Sequence, residues 1–198
     1  PGTMRNPGTR LPNCDTGTFC VPENAGVDPL NGRLETAFGT APKNDPADGF
    51  EHESFFVQLA RADLLGGIND AAGSVFGGIY PEAAVSGAGF RAGFIDGSGA
   101  NTQMPGLVTN FDNIRSGHYL ALFSSDEVGA ALTNAGSGVL TPNMAARIDR
   151  KIDDGDPLSG TVFAADGNGT ADCANDTTGD YVEADTDLNC ALYIRIQQ

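Results

Sequence analysis

The stretch Leu140-Thr-Pro-Asn-Met-Ala-Ala-Arg-Ile-Asp-Arg-Lys-Ile-Asp-Asp-Gly-Asp-Pro-Leu-Ser-Gly-Thr-Val162 contains a complete helix signal that runs into a strand. Thr141 supplies an N-cap hydroxyl, and Pro142 fits the first helical position, where an N–H has no intrahelical partner anyway. Met144, Ile148 and Ile152 recur at i, i+4 and i+8, an apolar stripe along one side of a helix. Gly155 ends that helix and Pro157 blocks its continuation. Strand character then runs from Gly160 to Ala165. Helix and strand therefore both belong to this chain.

Toward the N-terminus, Leu107–Phe111 and His118–Phe123 read as strands, separated by a turn region at Asp112–Gly117. Residues 68–106 are glycine-rich, with short apolar pieces at Phe76–Tyr80 and Phe90–Ile95. Before them a helix is predicted over Asp48–Leu65. Asp48 and Glu51 stand at capping-box spacing, and Gly66–Gly67 supplies a C-cap. Phe55, Leu59 and Ala62 form its apolar row, with Phe56, Ala60 and Leu64 beside it. These rows face a sheet, while His52, Glu53, Gln58, Arg61 and Asp63 face solvent. Residues 1–49 hold seven prolines and no sustained period, and read as an irregular arm. Toward the C-terminus, a long acidic loop at Asp166–Leu188 precedes a last strand, Ala191–Ile196. One domain over 1–198 is expected, with the arm at 1–49 and the core at 50–198.

Composition narrows the function. In 198 residues there are 27 Gly and 11 Pro, so short elements on long connections are expected. Twenty-six acidic and 11 basic residues give a net charge of −15, which repels a phosphate backbone and excludes nucleic-acid binding through a broad basic face. No apolar run reaches the roughly 20 residues of a membrane-spanning helix.

Four cysteines permit three pairings. The local pairs Cys14–Cys20 and Cys173–Cys190 are favoured, because each lies inside one loop-rich segment. Their spacing does not suit zinc, and His52 and His118 are the only histidines. Two disulfides imply an oxidising compartment.

No catalytic constellation stands out. Gly87-Ala-Gly89-Phe-Arg-Ala-Gly93 has the glycines of a dinucleotide loop, but no helix follows, so turn glycines are the reading. There is no G-x-S-x-G elbow, and His118, in a strand, is read as a packed or surface histidine. The chain is expected not to be an enzyme. The metal candidate is Asp166-Gly-Asn168-Gly-Thr170-Ala-Asp172, where Asp166, Asn168, Thr170 and Asp172 place oxygens at alternate positions, as calcium loops do. It departs from an EF-hand, with Ala171 where the invariant glycine belongs. From Asp153 to Asp187 there are ten acidic residues and no Lys or Arg, a repulsion that bound calcium would relieve.

The order of these segments resembles the type IV pilin-like and pseudopilin family. The likeness lies in the helix Glu53-Ser-Phe-Phe-Val-Gln-Leu-Ala-Arg-Ala-Asp-Leu-Leu65, in Ile148-Asp-Arg-Lys-Ile-Asp-Asp-Gly-Asp-Pro157, and in Cys173, Tyr181, Cys190 and the closing strand. The resemblance implies an α+β globular domain with a short antiparallel sheet, two helices and disulfide-closed loops. It implies a structural subunit of a type IV pilus or type II secretion filament whose partners are other pilin subunits. It also implies an extracellular, cell-surface location, with a precursor held in the inner membrane by a long apolar helix ending before Pro1. A secreted calcium-dependent adhesin is the alternative, and a secreted hydrolase the third.

Overall fold

Strand signals in the C-terminal half resolve into a sheet whose first strand the sequence only hinted at. The computed structural model describes residues 7–15, 18–21, 33–34, 38, 42, 45, 50–97, 104, 106–107, 114–124, 138–167, 172–175 and 178–197. Strands β1 (Ala88–Ile95), β2 (Gly117–Ser124), β3 (Val162–Asp166) and β4 (Cys190–Gln197) form one antiparallel sheet in the order β1-β2-β4-β3. Helices are α1 (Pro7–Arg10), α2 (Glu51–Arg61) and α3 (Pro142–Ile152). The fold is α+β, as the sequence implied.

Register sorts the side chains. Phe90 pairs with Leu122, and Leu122 with Leu192, while Arg91 pairs with Ala121 and Ala121 with Tyr193. Even-numbered strand residues therefore share one face and odd-numbered ones the other. The odd face carries Ile95, Tyr119, Ala121, Phe123, Phe163 and Tyr193, covered by Phe38, Met104, Leu107 and Ile114. Gly89 and Gly93 lie on this face, where a Cβ would collide with the rings of Phe76 and Phe38. On the even face, Ala145 and Ala146 of α3 pack with Leu122, Val162, Ala164 and Leu192. Phe56 and Val57 of α2 join Ala92 in a third cluster, with Ile79, Tyr80, Leu34 and the Cys14–Cys20 loop.

Several boundaries and faces differ from the sequence reading. Residues 108–111 lie outside the described residues, and Leu107 makes a single bridge to Ala165. Asp48 is also outside them. The N-cap of α2 is Phe50, whose N–H donates to Glu53 Oε2 at 2.8 Å, so the reciprocal acid is Glu53 rather than Glu51. The helix ends at Arg61, before the glycines, because Asp63 already takes a left-handed φ of 56°. Glu53, His52 and Gln58 are buried, whereas Ala62 is exposed and Phe55 and Leu59 only half-buried. In α3 the cap is as expected, with Met144 N donating to Thr141 Oγ1 at 3.3 Å. The stripe is not. Met144 is 40% and Ile152 54% exposed, and the buried row is Pro142, Ala145, Ala146 and Asp149. Small alanines let the helix approach the sheet closely, and this outcompetes the larger residues for the inner face.

Candidate functional site

Three features carry chemistry: a buried polar cluster under α2, an acid–tyrosine pair under α3, and a partly exposed apolar strip on the even face.

The first is built by β1. Arg91 projects from the odd face and is almost wholly buried. Its Nη2 lies 3.1 Å from His52 Nε2, also buried. A guanidinium only donates, so Nε2 accepts and the proton sits on Nδ1. Burial first, and the Arg91 charge second, hold His52 well below the ordinary histidine range, so it is neutral. Glu53 takes Phe50 N–H on one oxygen and the Ser74 hydroxyl, at 3.1 Å, on the other. Burial lowers the Arg91 pKa, and the Tyr80 and Glu53 charges oppose that shift. Gln58 Nε2 donates to Cys20 O at 2.9 Å, tying α2 to the first disulfide loop. This is a charge-compensated anchor for a helix at the β1 edge. His118 serves a neighbouring contact, its Nε2 accepting Leu34 N–H at 3.3 Å.

The second feature is simpler. Asp149 Oδ2 accepts the Tyr181 hydroxyl at 2.8 Å, and Oδ1 accepts Gly155 N–H at 3.2 Å. Burial pushes Asp149 up to about 6, against the lowering effect of these hydrogen bonds. Burial, then the Asp149 charge, raises Tyr181.

Both local disulfides are present, Cys14–Cys20 and Cys173–Cys190. Of the predicted calcium ligands, Asn168 and Thr170 lie outside the described residues. Asp166 Oδ1 accepts Cys173 N–H at 3.0 Å. Elsewhere in the acidic segment, carboxylates are used as turn acceptors. Asp153 Oδ2 takes Thr161 N–H and, at 3.1 Å, Val162 N–H. Asp154 takes Asp156 N–H and the Ser159 hydroxyl, Asp156 takes Leu158 N–H, and Asp185 takes Asp187 N–H. Glu183 binds Arg150, which holds its carboxyl below the usual range. N–H donors thus stabilise much of the charge that the sequence reading assigned to a cation. Asp149, Asp153 and Asp154 do bring three carboxylate oxygens within 4.8 Å of one another, the group best placed among the described residues to hold a divalent ion.

The third feature is a strip of the even face. α2 packs on β1 and α3 on β3 and β4. Phe90, Phe94 and Leu120 pack in part against the α2 cluster, and Phe90 and Ile194 against the α3 cluster; all four stay half-buried, and Ile196 is 44% exposed. A shallow cleft of about 570 Å³, lined by Val75, Phe76, Glu82 and Val85 among others, lies at the entry to β1. No helix among the described residues is long and apolar enough to cross a membrane.

Sequence reasoning missed Arg91, Glu53 and the Asp149–Tyr181 pair. Only the pair left a trace, since Asp149 falls four residues after Ala145 on the small-residue row. Compared with known proteins, the chain matches no family model, no curated protein and no solved structure.

Proposed function

We propose that this chain is the globular domain of a pilin-like subunit, built into an extracellular filament and not acting as an enzyme. The observation that carries the reading is the apolar row Phe90, Phe94, Leu120, Ile194 and Ile196, which packs only in part against the clusters built by the two helices and keeps exposed area, most at Ile196. A sheet face of this kind buries its remaining apolar area against a further helix. The long apolar helix of the pilin-like family is such an element. The antiparallel sheet and the Cys173–Cys190 loop agree with the same reading, and the disulfides with an extracellular, oxidising compartment. Other pilin subunits are then its partners.

The test is to shear surface filaments from cells carrying the native gene and probe them for this chain. The filament fraction should contain it. Recovery only as free monomer in the medium would instead favour a secreted binding domain.

That second reading, a calcium-dependent adhesin, rests on the Asp149, Asp153 and Asp154 carboxylates. It requires calcium to raise the melting temperature by binding the folded state. Superimposable melts in millimolar calcium and in chelator, at constant ionic strength, would remove it.

A further inference from the structure

The outward face of α3 combines three properties that the fold itself does not use. Met144 and Ile152 are 40% and 54% exposed, and Ile148 between them is half-buried, packing in part on the sheet cluster, so the outer edge of an apolar stripe faces away from the sheet. Arg147 and Lys151 are exposed on the same side, one and two turns from Met144. Neither forms an ion pair among the described residues. A chain with 11 basic and 26 acidic residues thus leaves two cations beside an apolar stripe on one helix.

The complement of a basic, apolar stripe is an acidic, apolar one, and this chain carries it. Asp180 and Asp187 are exposed, and Leu188, next to Asp187, is 54% exposed. No Lys or Arg occurs from Asp153 to Asp187. The chain already shows this pairing in cis. Arg150, on the flank of α3, binds Glu183 of the acidic segment, and Asn143 Nδ2 donates to Glu183 Oε2 at 3.0 Å. That contact uses the Asn143–Arg150 side of the helix and leaves the Met144–Lys151 side open.

We propose that the Met144–Ile148–Ile152 stripe, with Arg147 and Lys151, docks the Asp180–Leu188 segment of a second copy of this chain. Two different patches meet, so the contact closes as a two-fold dimer where two copies engage each other reciprocally and propagates head to tail where they do not. The proposal rests on the filament reading above and specifies which faces meet.

The test is a charge swap, read by sedimentation equilibrium of the purified chain up to millimolar concentration in physiological salt. The wild type should associate weakly. Arg147→Glu with Lys151→Glu should weaken association by about tenfold or more, as two exposed ion pairs become two repulsions. Asp180→Lys with Asp187→Lys should weaken it similarly, although that variant carries less net charge. Mixing the two variants should restore association. General repulsion between acidic molecules predicts the opposite for the second variant, namely stronger association. A wild type that stays monomeric, an acidic-segment variant that associates more tightly, or a mixture that fails to recover would each overturn the interface. Filaments that contain the chain while the swap fails would overturn only this contact, and a recovered swap without filaments would overturn only the filament reading.

Discussion

α2 turns Glu53 and His52 toward the buried guanidinium of Arg91, whereas α3 turns Asp149 toward the neutral hydroxyl of Tyr181. Both helices thus bring polar groups to the sheet, but the two solutions differ in what happens when a partner is lost. Under α2 a cation, an acid and a neutral imidazole compensate one another, so removing one leaves a charge stranded in an apolar setting. Under α3 the Tyr181 hydroxyl and Gly155 N–H hold a carboxyl that gives up its proton only near pH 6. α2 is therefore locked by electrostatics, and α3 by close alanine packing with one polar pin.

The sharpest way to break this contrast is Arg91→Met. It should cost about 3–5 kcal/mol in denaturant unfolding, the usual effect of breaking a buried ionic group. A cost no larger than that of the tyrosine variant below would erase the distinction. Replacing both Cys173 and Cys190 by alanine should cost about 3 kcal/mol for a loop of this length. Tyr181→Phe should cost less, about 1–2 kcal/mol, because it leaves a single acceptor short of one donor.

Acid should act on the two anchors with opposite signs. His52 is depressed in the folded state, so its contribution to stability is present above the ordinary histidine pKa and is lost as pH falls below it. Asp149 is raised to about 6 from 3.8, so its contribution is full below pH 3.8 and is lost as pH rises through 6. The unfolding free energy at pH 7.5 minus that at pH 5 should therefore fall in His52→Gln and rise in Asp149→Asn, relative to wild type. Shifts of the same sign in both variants would contradict the assignment. Smallest of all, Met144→Ser should change stability by no more than about 0.5 kcal/mol, since that side chain is outside the core.

The sequence was most readable where signals were local. Thr141 and Pro142 marked the start of α3 to the residue, and the short Cys spacings marked both disulfides. β2, β3 and β4 were legible from apolar runs. β1 was half-seen, because its glycines serve ring approach from Phe38 and Phe76, residues distant in sequence. The faces of both helices were misjudged for a related reason. Periodicity identifies an apolar row, but it cannot say that Arg91 will draw Glu53 inward or that Ala145 and Ala146 will outcompete Met144 and Ile152 for the sheet. The calcium reading treated the acids as repelling one another, when many accept local N–H groups that only the folded turns supply.

On the filament reading proposed above, the strip beside β2 is covered once the chain is assembled. Ile196→Cys places a thiol on that strip at a position 44% exposed in this chain. Its alkylation rate should be compared between the isolated domain and native filaments, with denatured filaments as the common reference. Labelling should be rapid in the isolated domain and many times slower in filaments. Equal rates in the two would contradict that reading.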